Sequence, residues 1–364
     1  MEIAKALSLD ARILIMDEPT SALSAAECAT LFKVVRQLAA AGVAIIYTSH
    51  RLDEVVALAD RVTVLRDGRR IVTASIDGLT PNAIISAMVG RDVALSRRKS
   101  AGAAAARVLS VRNLTLDSVS RRGWRRVLDG VSFDVRRGEI LGVGGLLGSG
   151  RTEILESIFG VARFWRGGEI AIDGEPASIR SASHARRLGV AFVTEDRKAL
   201  GLHLASTVRD NVALPSVAAM SRFGVRDFAR ESALAAEMVE RLAVRCSGID
   251  QIVATLSGGN QQKVAIGKWL ATAPKVLLLD EPTRGIDVGA KQEIYQLIFA
   301  LAAEGLGIVV VSSEMPELLL LSDRVLVMCE GRQTGVLSGA AATQEAIMRL
   351  AAPGMGERAA GAAL

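Results

Sequence analysis

Two acidic pairs, each ending an apolar run, are the residues of this sequence best placed to do chemistry. Val276-Leu277-Leu278-Leu279 leads into Asp280, Glu281, Pro282 and Thr283, and Ile13-Leu14-Ile15-Met16 leads into Asp17, Glu18, Pro19 and Thr20. A buried strand that delivers adjacent carboxylates suits nucleotide hydrolysis. Asp280 would hold Mg²⁺ and Glu281 would orient the attacking water, with Asp17 and Glu18 in the same roles in the first half. Upstream, Gly145-Leu146-Leu147-Gly148-Ser149-Gly150-Arg151-Thr152 lies between a strand pattern over 140–144 and a helix pattern over 152–159. Gly145, Gly148 and Gly150 let the backbone around Ser149 curl its N–H groups about phosphates, and the Thr152 hydroxyl suits Mg²⁺. Arg151 occupies the position that this phosphate-loop pattern gives to lysine. It keeps the charge, but a planar fork does not replace a compact ammonium, so nucleotide binding is expected here and efficient hydrolysis is not. A third stretch, Leu256-Ser257-Gly258-Gly259-Asn260-Gln261-Gln262-Lys263, opens an apolar-periodic run through Val264, Ile266, Trp269 and Leu270. Ser257, Gly258 and Gly259 would present backbone N–H groups and the positive end of a helix to an anion.

These sites need a large α/β core, and the chain has the material for one. Its 364 residues are 50% hydrophobic, enough for two or more domains. The longest apolar stretches fall far short of the roughly 18–20 residues of a membrane span. The first residues, MEIAKALSLDAR, lack the apolar core and cleavage site of a signal peptide and read as the middle of a helix. Cys28, Cys246 and Cys329 are widely spaced and form no CxxC, the usage of inert thiols in a reducing compartment. The net charge of +5 leaves a nucleic-acid partner open in principle, but only 4% of residues are aromatic, few platforms for base stacking. A basic surface beside anionic lipid fits the charge as well. Charge alone does not decide.

The sequence repeats itself. Asp17 and Asp280 are offset by 263 (280 minus 17), and the same offset carries Asp60-Arg61-Val62 onto Asp323-Arg324-Val325 and Lys5 onto Lys268. It also carries Leu31, Val34, Val35 and Leu38 onto Ile294, Leu297, Ile298 and Leu301, two i, i+3, i+4, i+7 stripes of amphipathic helices packed on a sheet. A tandem duplication follows. The first copies of the glycine loop and of Leu256–Gln262 would fall before position 1, so the first half reads as the later part of a unit. The expected organisation is a first unit over 1–95, a basic small-residue linker over 96–106, a second and complete unit over 107–352, and a frayed tail over 353–364.

The combination of GxGRT at the glycine loop, Glu195-Asp196-Arg197-Lys198, LSGGNQQK, DEPTRGID and Ser312-Ser313-Glu314 resembles the second cassette of tandem ATP-binding subunits of bacterial monosaccharide importers. MEIAKAL, IMDEPTSALS and Thr48-Ser49-His50 resemble the first cassette of the same ATP-binding cassette (ABC) proteins. The resemblance implies an α/β P-loop NTPase of the ABC ATPase type, duplicated in tandem with its first cassette incomplete. It implies ATP and Mg²⁺ as cofactors, Glu18, His50 and Glu281 as catalytic residues, and Asp17, Thr152 and Asp280 at the metal. Gly145 to Thr152, Glu195 in the Q-loop position, Ser257, Gly258, Gly259 and Gln261 would contact nucleotide. His50 takes the place of a switch histidine on the γ-phosphate, and Glu314, one residue out of register, is its expected counterpart in the second half. In such proteins the competent site pairs the first cassette's loop and acidic pair with the second cassette's LSGG, and the opposite site is degenerate. With no first phosphate loop in the sequence, hydrolysis by this chain alone is expected to be impaired. The implied partners are membrane permease subunits, a periplasmic sugar-binding protein indirectly, and a further copy of the chain, at the cytoplasmic face of the inner membrane; on the resemblance, no nucleic acid is expected. A non-catalytic nucleotide-binding adaptor or gene remnant, a nucleoside importer and a non-transport tandem ABC protein are the alternatives.

Overall fold

A computed structural model describes residues 11–17, 19–20, 25–49, 52–66, 68–78, 83–84, 87, 105–120, 123–162, 165–221 and 223–352. Most of the linker expected over 96–106, and the tail over 353–364, lie outside the described residues. The chain forms two compact units, Met1–Leu95 with Asp287–Gly289 in one and Ser96–Ile286 with Ala290–Leu364 in the other.

In the first unit, β1 (Ile13–Asp17) and β2 (Ala44–Thr48) pair in parallel, with Ile13 opposite Ala44. A parallel pair needs a crossover, and α1 (Ala25–Ala40) supplies it. Its Leu31 and Val35 cluster with Leu14 and Met16, as the helical stripe requires. Helix α2 (Leu52–Leu58) then leads to a hairpin of β3 (Arg61–Arg66) and β4 (Arg69–Ser75).

The second unit opens with the long strands β5 (Arg107–Ser120) and β6 (Gly123–Arg136), followed by β7 (Ile140–Gly145) and α3 (Arg151–Phe159). Strands β8 (Trp165–Ile172) and β9 (Glu175–Pro176) complete an antiparallel sheet of order β6-β5-β8-β9. Helix α4 (Ala182–Arg187) precedes β10 (Val190–Val193). The helices α5 (Val208–Ala213), α6 (Val217–Met220) and α7 (Phe228–Arg241) lie between β10 and α8 (Gly258–Leu270). Strand β11 (Val276–Asp280), α9 (Val288–Ala303), β12 (Gly307–Val311), α10 (Met315–Leu321), the hairpin β13 (Arg324–Cys329)/β14 (Arg332–Ser338) and α11 (Gln344–Ala351) follow. The main sheet runs β10-β11-β12-β7-β13-β14, parallel except for the last hairpin. Strands buried on both faces read as unbroken apolar runs, and Val276 to Leu279 and Ile308 to Val310 are fully buried here. Ile154, Leu155 and Ile158 of α3 pack with Leu278, Val309 and the antiparallel sheet in one core.

The offset of 263 recurs in the hydrogen-bond register. Ile13 faces Ala44 as Val276 faces Gly307, Arg61 faces Ser75 as Arg324 faces Ser338, and both hairpins shift register at the same place, after Val64 and after Val327. Burial does not follow the repeat. Ile13, Ile15 and Ile46 are 64%, 68% and 54% exposed, whereas Val276, Leu278 and Val309 at the same offset are completely buried.

Asp227 caps α7 by accepting a hydrogen bond from the Arg230 N–H at 3.1 Å. Asp227→Ala is expected to cost about 1 kcal/mol, read as a small fall in the urea midpoint with an unchanged slope.

Candidate functional site

The glycine loop leaves the carboxyl end of the central strand β7 and enters α3, where ligands bind in an open α/β sheet. Its shape depends on left-handed backbone. Gly145, Gly148 and Gly150 have φ of +149°, +77° and +100°. A Cβ on Gly145 would lie 2.5 Å from the Met328 carbonyl oxygen, and one on Gly150 would lie 2.7 Å from Leu128, so only glycine fits at either place. Gly148 has open space in front of it. The buried Ser149 hydroxyl has no hydrogen-bond partner, a polar atom left for a ligand at the floor of the loop.

Arg151 is buried, and its Nη1 donates to the Ser312 carbonyl oxygen at 3.0 Å. The cation of the loop is thus tied to the end of β12. The Thr152 side chain neighbours the Asp280 carboxylate, whose Oδ1 is buried without a partner. Burial pushes Asp280 up to about 6; the Thr152 hydroxyl and the Arg151 charge act the other way, and neighbouring Glu281 adds to the rise. A hydroxyl beside a buried carboxylate with an unpartnered oxygen is a donor set that fits Mg²⁺.

Glu281 has the left-handed φ of +47° rarely found outside glycine, and its N–H bonds to the Val311 carbonyl oxygen at 2.9 Å. Its Oε2 accepts from the Ser313 hydroxyl at 3.0 Å. Directly behind this pair lies a buried carboxylate network. Glu317 Oε2 accepts from Thr283 Oγ1 and from Ser312 Oγ, both at 2.9 Å, and joins the turn after Glu281 to the end of β12. Burial, reinforced by Glu314, pushes Glu317 up to about 7 against the opposing hydroxyls and Lys291. The first unit builds the same triangle at the same offset. Glu54 Oε2 accepts from Thr20 Oγ1 at 2.8 Å and Ser49 Oγ at 3.1 Å, with the Tyr47 hydroxyl added at 2.8 Å. No sequence motif pointed to Glu54 or Glu317; their spacing in the repeat was the signal that could have found them.

This triangle corrects one expectation. It aligns Ser49 with Ser312, so the residue in register with His50 is Ser313 and not Glu314. The neutral Ser313 hydroxyl contacts Glu281, while Glu314 pairs with Lys291 Nζ at 2.5 Å. Its charge is compensated by a lysine.

The expected anion site at Ser257-Gly258-Gly259 begins α8, with Ser257 as N-cap and its hydroxyl accepting from the Asn260 amide at 2.9 Å. The first N–H groups of a helix have no acceptor within it. A Cβ on Gly259 would lie 2.4 Å from Ala290, which fixes the glycine by packing. The Gln261 amide is buried and donates to the Val253 and Leu256 carbonyls at 3.2 and 3.1 Å, so the structure places it under the loop as a support. Glu195 forms an ion pair with Arg284. In the first unit, Asp17 Oδ1 accepts from the Thr48 hydroxyl at 2.5 Å. Glu18 and His50 lie outside the described residues.

The second unit therefore brings Gly145 to Thr152, Asp280, Glu281 and Ser313 to one end of the parallel sheet, with Glu195 and Ser257 to Gly259 on the flanking segments. Fold and site define a phosphate-loop ATPase of the ABC class. A family model described as ABC transporter matches residues 128–284. The structure is similar to a solved nucleotide-free ATP-binding cassette of an ABC transporter, with a TM-score of 0.56, 19% identity, and coverage of 66% of this chain and 95% of that one. It is similar also to a dimeric cassette in a post-hydrolysis state bound to ADP and Pi, with a TM-score of 0.55, 23% identity, and coverage of 63% and 98%. In sequence the chain is 49% identical over 354 residues to ribose import ATP-binding protein RbsA 2 of Rhizobium meliloti (strain 1021), covering 96% of this chain and 67% of that protein. It is 51% identical over 354 residues to a Burkholderia cenocepacia (strain HI2424) protein named for ribose/galactose/methyl galactoside import, with the same coverage. The chain belongs to the family of ABC-transporter ATP-binding proteins that includes these import proteins, and it spans about two thirds of their length.

Proposed function

We propose that this chain is the ATP-binding, energy-coupling subunit of an ABC importer for a simple sugar, working with membrane permease subunits and, through them, a periplasmic sugar-binding protein. The observation that carries the nucleotide part is the phosphate loop whose Thr152 neighbours Asp280 and its unpartnered oxygen. Support for the sugar comes from the names of relatives that match 96% of the chain. Among the described residues no helix is long and apolar enough to cross a membrane, so the path for the sugar is assigned to separate permease chains, with this chain peripheral on the cytoplasmic face.

In this reading Gly145 to Thr152 hold the phosphates of ATP, and Thr152 with Asp280 hold Mg²⁺. When bound, the metal neutralises phosphate charge. Glu281 holds a water by its free carboxylate oxygen while Ser313 fixes the other. The second cassette's site is a holding site with slow turnover, because Arg151 spends a donor on Ser312 and the position of the switch histidine is the neutral Ser313. Asp17, Glu18 and His50 act in the hydrolytic site, and Ser257, Gly258 and Gly259 receive the γ-phosphate of a nucleotide presented to them.

The test is uptake of labelled ribose and galactose into ATP-loaded vesicles that carry the chain with its permease subunits. With the chain and permease alone, uptake is expected to be impaired. With a first phosphate loop supplied alongside, uptake is expected with the wild-type chain and its loss, by at least 100-fold, with Glu18→Gln, whereas Glu281→Gln keeps at least a third. Uptake of a nucleoside with no sugar would move the assignment to a nucleoside importer. Full uptake by the Glu18→Gln chain would remove the hydrolytic role of the first acidic pair.

A further inference from the structure

We infer that Arg197, in the Glu195-Asp196-Arg197-Lys198 segment, is a positioning residue. It locks the turn after the second acidic pair and the start of the Ser-Gly-Gly helix into one unit and ties both to residues 195–201. The inference rests on the reading of Ser257 to Gly259 as a phosphate contact and adds to it the device that sets its position.

The backbone first places the side chain. Residues Arg197–Gly201 form a single π-helical turn after β10, capped by Asp196, whose Oδ1 accepts from the N–H groups of Lys198 and Ala199 at 3.0 and 2.9 Å. The turn is anchored from the other side by Lys268 of α8, which donates to the Gly201 carbonyl. From this turn the Arg197 side chain runs inward and is only 8% exposed. Nη1 donates to the Arg284 carbonyl at 2.7 Å and Nη2 to the Gly285 carbonyl at 3.0 Å. One rigid fork thus takes two consecutive carbonyls of a turn, a geometry that a lysine ammonium cannot copy. Glu195 holds Arg284 by its side chain, so the segment grips this turn by both backbone and side chain.

The same guanidinium lies against the helix start. A Cβ on Gly258 would meet Nη2 at 3.0 Å and the Gly285 carbonyl oxygen at 3.2 Å. The absence of a side chain at Gly258 is what lets the fork and the helix N-terminus touch. Arg197 has no ion-pair partner among the described residues, and its buried Nε has no acceptor. Two carbonyl dipoles therefore hold an unneutralised buried cation beside the positive end of a 13-residue helix. Such an arrangement is stabilised when a phosphate arrives at Ser257 to Gly259, and the relief is felt at once by the turn 284–285 and by 195–201. Burial lowers the pKa of the guanidinium, against the Asp196 charge, in keeping with that environment.

The deciding experiment is native-state hydrogen exchange on the full chain in low urea, followed in peptides covering 195–202, 256–262 and 282–286. In the wild type the three segments are expected to exchange through one common opening. In Arg197→Gln their exchange rises at least tenfold and the three rates separate, while 145–155 stays within twofold. Arg197→Lys, which keeps the charge but loses the planar fork, leaves 282–286 exchanging at least fivefold faster than wild type. Unchanged exchange, or a uniform rise that includes 145–155, would overturn the inference, the second outcome meaning that Arg197 merely stabilises the cassette. In the transporter assembled with its permease, Arg197→Gln should lower turnover at least tenfold with half-saturating ATP within twofold, and undiminished turnover sinks the coupling role. A wild-type assembly that lacks ATP turnover even with a first phosphate loop supplied counts against the transport reading, and the exchange result then decides Arg197 by itself.

Discussion

Gly148→Asp is expected to weaken nucleotide binding at the second cassette by at least ~100-fold, equivalent to about 2.7 kcal/mol, while leaving the fold intact. Gly148 is the loop position where an added Cβ meets nothing within 4 Å, so no packing is lost there. Its φ of +77° costs an aspartate only about 1 kcal/mol, since Asp tolerates left-handed backbone. The damage comes from charge. A carboxylate about 5 Å from a phosphate oxygen costs roughly 3 kcal/mol at an effective dielectric constant of about 20. Gly148→Ala carries the same backbone strain without the charge and should lose less than about tenfold in affinity. Titration with a fluorescent ATP analogue at fixed Mg²⁺ separates the two, and melting curves of the free proteins report the fold. Tight binding by the aspartate variant would show that the phosphates lie elsewhere.

Glu317→Gln should remove a pH dependence of stability worth about 3 kcal/mol. The carboxyl has a folded value of about 7 against an ordinary 4.5, and each unit is about 1.4 kcal/mol. The sign follows from proton counting. Between these values the folded state keeps a proton that the unfolded chain has released, so stability falls as pH rises from about 4.5 to about 7 and levels off above. Glutamine still offers an oxygen to Thr283 and Ser312 but cannot ionise. The stability of the variant relative to wild type should therefore climb by about 3 kcal/mol from pH 4.5 to pH 8, whatever its value at the acid end. Urea denaturation at four pH values measures this difference, in which other titrating groups cancel. A constant difference would mean that Glu317 ionises as freely in the fold as in the open chain.

Much of the site was legible because short-range chemistry wrote it. A phosphate loop needs glycines at the left-handed positions Gly145, Gly148 and Gly150, and a strand that delivers Asp280 and Glu281 must be apolar along its length. The repeat was legible for the same reason: a helix stripe and a strand pattern have fixed periods, and both reappear at 263 residues with the same hydrogen-bond register. Contacts between segments far apart in the chain left no such trace. Glu317 reads as one more acid in a helix until Thr283 and Ser312 are brought to it. Arg197 reads as one charge in a solvated run of four, and only the fold turns it inward onto residues 87 and 88 positions away. Glu314 fits the switch position by its place in Ser312-Ser313-Glu314 with one residue of slip, and the register of the Glu54 and Glu317 triangles gives that place to Ser313.

By itself the sequence determined the class of protein, the order of its motifs and the internal repeat, because each is set by residues within a few positions of one another. Tertiary structure alone decided which polar groups are paired and which strands are covered. Ile13 and Ile15 are as apolar as Val276 and Leu278, yet the first pair is exposed and the second is buried under Ile154, Leu155, Ile158 and the antiparallel sheet. Hydropathy records what a strand can bury; burial itself depends on what other segments of the fold are laid against it.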